Sequence, residues 1–294
     1  MDLLISDILL LIITAAYLIF ASITDIKKRE VPNWLSFSLI AIALTIRGLA
    51  ALITLQFYYF VYAIISLVLF FSLSAILYYT KFFGGGDAKL LIALAIAFAT
   101  TPLYLSKTTP NQVNIFSEPF LLGFLINIFT IGSIYSIIFV IFFAIKNKKK
   151  FSKEFKKIFD QTKTLRTSFL ILASISLIIS FFFNVFFLIF ILTLTFPYIY
   201  ITIKAAENTS MIKKVSPSNL TEGDWLVQPI KLKNQKINPS VHGLSKRDIV
   251  LLKKHNKKVL IKYGLPFVPV FLISLICTIL FGDLLILLIR AIFF

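Results

Sequence analysis

The chain is poor in acid, in sulfur and in imidazole. Its 294 residues include one cysteine, two methionines and two histidines, and 13 Asp and Glu stand against 30 Lys and Arg, for a net charge of +17. A lone cysteine, Cys277, excludes a disulfide within the chain and any multi-cysteine zinc site. His242 and His255 fall in a polar region and read as surface residues rather than ligands. Hydrocarbon is abundant instead: 59% of the residues are apolar, 32 are Phe, and the mean hydropathy is +0.92. A soluble domain of this length could not hide so much apolar surface, so an integral membrane protein is expected. The cations lie in blocks between hydrophobic runs. That pattern belongs to loops facing anionic lipid, which makes lipid headgroups, and not nucleic acid, the expected partner.

Counting crossings gives a topology. A first span at 3–23 has no basic residue before it, as a cleaved secretory signal would, and reads as a retained helix. It ends at Lys27-Lys28-Arg29, which marks an inner end. Spans at 35–55 and 57–80 follow, with Arg47 in the outer half of the second, where its side chain is expected to snorkel to the headgroups. A fourth span at 88–105 leads to an outer loop holding Lys107, and a fifth at 119–145 returns to nine cations between Lys146 and Arg166. Residues 169–203 are too long for one crossing: 35 residues make a helix of roughly 50 Å against a bilayer core of about 30 Å. A hairpin turning near Asn184 is expected. It keeps the following segment, with 13 cations against four acids, on the inner side.

The resulting fold class is an α-helical polytopic membrane protein of about six core transmembrane helices plus an extra hydrophobic hairpin, with a small cytoplasmic α+β domain. Its expected divisions are 1–145, a membrane domain of five helices; 146–203, a basic loop and hydrophobic insertion; 204–264, the polar domain; and 265–294, a last transmembrane helix at 265–292. In the polar domain Asp224-Trp225-Leu226-Val227 alternates as a strand does, and Ser245 with Asp248 forms a capping box.

The acids in or beside membrane segments are Asp2, Asp7, Asp25, Asp87, Glu118 and Asp283. The topology sends four of them outward and leaves Asp25 and Asp87 together at the inner edge. Two carboxylates at one depth suit shared-proton acid–base chemistry, in which one ionised Asp activates water and the other, protonated, polarises a carbonyl. Gly84-Gly85-Gly86 before Asp87 lets another backbone come close. Taken alone, each acid has a plainer explanation. Asp25 could be a solvated helix-end charge, and Asp87 could cap the helix that follows it.

These residues resemble a family. Asp25 with Lys27, Arg29, Val31, Pro32 and Asn33 is similar to the first motif of type IV prepilin peptidases, and Gly84-Gly85-Gly86-Asp87 with Lys89 is similar to their Gly-x-Gly-Asp motif. Glu222-Gly223-Asp224-Trp225, the run from Gly264 to Phe271, and Gly282-Asp283 resemble the tail of the archaeal branch, the preflagellin and prepilin peptidases. The resemblance implies a multi-pass cell-membrane aspartic endopeptidase that needs no cofactor or metal and has its site on the cytoplasmic side. It would cut the basic leader from pilin-like or archaellin precursors. It also implies catalytic roles for Asp25 and Asp87, with Gly84, Gly85, Gly86, Lys89, Pro32 and Asn33 lining the approach and Glu30 as a candidate acid for the leader. The compact members have no segment like 146–203. The other classes open to such a chain are an ion-coupled transporter and a non-catalytic scaffold of a pilus or secretion machine.

Overall fold

The computed structural model describes residues 2–106, 120–183, 185–232, 236–240 and 242–293. The expected turn at Asn184 and the loop carrying Lys107 and Glu118 lie outside them. The chain divides into two compact units, Met1–Ser136 with Gly264–Phe294, and Ile137–Tyr263.

The first unit contains α1 (Leu3–Lys28), α2 (Asn33–Thr54), α3 (Tyr58–Tyr79), α4 (Gly85–Ala97), the single turn α5 (Leu103–Ser106), the start of α6 (Phe120–Lys146), and the C-terminal pair that follows Tyr263. Its centre is α4. Leu90, Leu91, Ala93, Leu94, Ala95, Ile96 and Ala97 are all buried, which is the pattern of a helix with protein on every side. Leu18, Leu39, Phe98, Phe124 and Phe271 close around it.

The second unit takes up α6 and continues through α7 (Lys148–Gln161), α8 (Lys163–Ser180) and α9 (Val185–Ala206). The long apolar run is therefore cut into two helices. Phe169 and Phe196 stack across them with ring centres 5.1 Å apart, so the legs lie side by side as a hairpin. One π-helical stretch, Glu207–Met211, then leads into β1 (Ile212–Val215). Strands β1, β2 (Trp225–Leu226) and β5 (Val259–Lys262) form an antiparallel sheet in the order β1-β5-β2, and β3 (Ile230–Lys231) pairs with β4 (Lys236–Ile237). Helix α10 (Lys246–Lys254) starts from a capping box, in which Ser245 Oγ accepts the Asp248 N–H at 3.2 Å and Asp248 Oδ2 accepts the Ser245 N–H at 3.0 Å. Gly243, at φ 75°, lies so close to Gly223 that a Cβ would meet its carbonyl oxygen at 2.1 Å. No other residue fits that turn.

Among the described residues, six helices are long and apolar enough to cross a membrane: α1, α2, α3, α6, α8 and Ile189–Met211, which takes in most of α9. The stretches expected as the fourth and last spans are shorter and broken. The fourth ends at Ala97, ahead of Pro102, and resumes only as α5. The last is split into α11 (Val268–Phe281) and α12 (Leu284–Phe293) by Gly282, whose φ of 71° and ψ of −140° stop the helix. The broken ends are satisfied by side chains, as apolar surroundings demand. Asn127 on α6 donates from Nδ2 to the Thr278 hydroxyl and the Gly282 carbonyl and accepts the Leu284 N–H, while Asp283 Oδ1 accepts the N–H groups of Leu285 and Ile286.

Arg47 departs from expectation for the same reason. It does not snorkel but is fully buried, donating to the Ala97 carbonyl at 2.9 Å, the Tyr59 carbonyl at 3.1 Å and the Thr100 hydroxyl at 3.2 Å. Its guanidinium lies over the Tyr59 ring, and the Tyr59 hydroxyl donates to Asp7. The open carbonyl end of α4 needs donors, and a buried cation at a helix C-terminus supplies them.

Candidate active site

Helix α1 ends just past Asp25. Arg29 takes the left-handed conformation at φ 58° and its N–H closes back on the Asp25 carbonyl at 2.8 Å, with Lys27 and Lys28 in the last turn where cations suit the helix dipole. Asp25 itself is not a solvated helix-end charge. Its carboxylate is 6% exposed, and Oδ2 accepts the Val268 N–H at 2.9 Å while the Phe267 N–H also bonds to it. An anion thus sits on the N-terminus of α11, where unpaired N–H groups and the helix dipole both favour it. Arg29 grips the same segment further upstream, donating from Nη1 to the Gly264 carbonyl at 3.0 Å.

Asp87 is the third residue of α4 and is partly buried. Its Oδ2 accepts the Gly84 N–H at 3.1 Å, so it does cap its own helix, as the plainer explanation supposed. Capping does not remove it from the neighbourhood of the other acid, because the charge of Asp25 reaches it. The two motifs are fastened to each other beside these acids. A Cβ on Gly86 would stand 2.9 Å from Cβ of Val31 and 3.1 Å from its Cγ2, so the absent side chain is what admits the turn from α1 to α2. Lys89 donates to Asn33 Oδ1 at 2.8 Å and lies 5.6 Å from the centre of the Phe37 ring. Pro32 is the residue from which α2 starts. A Cβ on Gly84 would stand 3.1 Å from the Asp87 carboxylate, and one on Gly85 would make ordinary contact with Tyr78. Glu30 is exposed on the turn.

Beneath the acids lies an aromatic layer. Phe83, immediately before the glycines, is 1% exposed and packs on Phe267 at 5.3 Å, Phe271 at 5.8 Å and Phe129 at 6.5 Å between ring centres. It joins the loop carrying Asp87 to the segment whose N–H groups hold Asp25. Gly132 on α6 makes room for that segment, since a Cβ there would meet the Phe267 ring at 2.6 Å. The charges of Asp25 and Arg29 also reach the Tyr135 hydroxyl. The sequence marked the run from Gly264 to Phe271 only by its resemblance and gave no site role to Phe267, Val268, Phe83, Gly132 or Tyr135. Pro266 and Pro269 around a helix start were the available signal for α11. Backbone donors otherwise leave no trace in a residue pattern.

Comparison with known proteins finds that residues 12–145 match the type IV leader peptidase family. The chain is also 28% identical over 177 residues to the prepilin peptidase EppA of Methanothermobacter thermautotrophicus, a stretch covering 59% of this chain and 46% of the relative. It thus spans about half the length of that curated relative. No solved structure matches. The leader peptidase segment holds Asp25, Asp87, Pro32, Asn33, Gly84, Gly85, Gly86 and Lys89, whereas the α11 donors come from outside it. Among the described residues no group of three or more His, Cys, Asp or Glu is gathered as a metal site would be.

Proposed function

We propose that the chain is a prepilin-type peptidase, a membrane aspartic endopeptidase of the Gly-x-Gly-Asp type. It removes the basic leader peptide from a type IV pilin-like or archaellin precursor at the cytoplasmic face. The observation that carries this reading is the junction of the two motifs, where Gly86 rests on Val31 and Lys89 bonds Asn33, bringing Asp87 within reach of the charge of Asp25. A shared proton makes the pair at once a base and an acid. The ionised carboxylate takes a proton from water as the water oxygen attacks the scissile carbonyl carbon, and the protonated carboxyl donates to the carbonyl oxygen. The tetrahedral intermediate then collapses, its C–N bond breaks, and the leaving nitrogen receives a proton from the pair.

Both acids bond backbone N–H groups in this structure, Asp25 to Val268 and Asp87 to Gly84. These bonds fix each carboxylate in direction. A substrate peptide must lie extended beside them, because a bond inside a helix is shielded by its own hydrogen bonding. The exposed Glu30 on the turn after Asp25 is a suitable acid to meet a basic leader.

The test is cleavage of a panel of pilin-like and archaellin precursors in membranes containing wild type, Asp25→Asn or Asp87→Asn, read as precursor size on a gel. Shortening by wild type and by neither variant supports the reading and names the substrate class. Uncut precursors throughout, or cleavage by both variants, would replace it with the non-catalytic scaffold.

A further inference from the structure

The segment between α6 and α8 is a helix of a different kind from those around it. Its sequence, Lys148 to Gln161, places Phe151, Phe155, Ile158 and Phe159 on one face at spacings of four, three and one. Lys149, Lys150, Lys153, Lys156 and Lys157 stand on the other face, all exposed, with Asp160 the one acid among them. The apolar face is covered by protein: Ile158 packs with Ile201 and Ala205 of α9, and the three phenylalanines lie against the same cluster. Glu154 sits at the edge and accepts from Asn208 Nδ2 at 3.3 Å. The inner end of α7 is pinned by Arg166, whose guanidinium lies 3.3 Å from the centre of the Phe159 ring and donates to the Phe159 carbonyl. Arg166 therefore turns inward, and the five lysines are left as an unshared cationic face.

We infer that this face of α7 binds anionic lipid headgroups. Its height is set by the chain itself. One residue, Asn147, separates α7 from the spanning helix α6, and one residue, Thr162, separates it from the spanning helix α8. Five lysines cannot enter hydrocarbon, so the helix stays at the boundary. Ile158 meets α9 at Ile201 and Ala205, the stretch where Lys204 and Glu207 mark its exit from the apolar region. A cationic face held there by a protein-facing apolar seam has the phosphates of its own leaflet as the nearest negative charge. The assignment goes beyond the proposed peptidase activity and does not depend on it.

The test uses the full chain in nanodiscs of phosphatidylcholine alone and of phosphatidylcholine mixed with phosphatidylglycerol, with amide hydrogen exchange followed across 148–161. The α7 amides are expected to exchange roughly tenfold more slowly in the acidic discs, and this slowing to vanish in high salt. Replacing the five lysines with Gln should abolish the slowing and replacing them with Arg should keep it, with unchanged exchange in α8 and α9 showing that the hairpin is intact. Equal exchange of wild type in the two disc types overturns the assignment. So does a slowing that survives both salt and the Gln variant, or one that appears in neutral discs only after a single-stranded oligonucleotide is added, which would make the face a nucleic-acid surface.

Discussion

Helix α4 and the α8–α9 hairpin are both apolar, yet they are built to opposite rules. The hairpin legs are long enough to cross a bilayer and leave large side chains such as Leu170, Ile171, Ile178, Leu192 and Ile199 exposed along their length. In lipid these positions ask only for hydrocarbon. Helix α4 has 13 residues, about 20 Å, and is not among the spans, yet it is buried nearly all round. Protein contact replaces lipid contact along its whole length, and every open end is answered by a named group. Gly84 and Asp87 cap its start, Lys89 ties it to Asn33, and Arg47 holds its last carbonyl, that of Ala97. Apolar length therefore marks what faces lipid in this molecule, and a short helix with polar groups fastened at both ends marks what carries Asp87, while Asp25 sits at the end of the long helix α1.

The sharpest way to break this contrast is at the carboxylates. Asp25→Asn and Asp87→Asn are each expected to lower precursor cleavage by about a thousandfold or more while the protein still melts as a folded membrane protein; a residual rate near wild type in either would separate the buried helix from the chemistry. Next come the close approaches. Gly86→Val drives a side chain into Val31 and Gly132→Ala drives one into the Phe267 ring, each at a cost of about 1–3 kcal/mol, seen as a lower melting temperature and a reduced cleavage rate. Arg47→Met leaves the Ala97 and Tyr59 carbonyls without their donor and should cost about 2 kcal/mol in denaturation of the detergent-solubilised protein. A headgroup-facing arginine would show no such loss. Lys89→Ala removes one exposed charge-assisted bond to Asn33, and a change of about 0.5–1 kcal/mol with mildly slower cleavage is expected. The smallest effect belongs to the hairpin: Ile178→Leu, an apolar exchange on an exposed flank, should stay within about 0.5 kcal/mol in the same melt.

What could be read from the residues follows the same division. Hydropathy and charge blocks gave away most of the spans and the split of 169–203 into two legs, because each depends on the chain's own composition. The Ser245 and Asp248 capping box was legible because it is local. Arg47 was misread because depth in a bilayer is visible in sequence and the direction of a side chain is not. The fourth span was overestimated because the apolar run continues through Phe98 to Leu105 after the helix has ended at Ala97. The hold on Asp25 was invisible for a different reason. Its donors are backbone N–H groups of Phe267 and Val268, brought in by the packing of α1 against α11 and by the space at Gly132.

That last contact joins residues 243 positions apart, so it is also a matter of timing. At a synthesis rate of roughly 5–20 residues per second, Asp25 waits about 12–50 s after it is made before its donors exist. Throughout that interval the carboxylate lacks its anchor although both motifs of the leader peptidase segment are already in place. On the proposed peptidase reading, a nascent chain would be kept from premature cutting by its own length, and arrest or truncation before α11 should leave a full set of motifs with no cleavage of nearby membrane proteins.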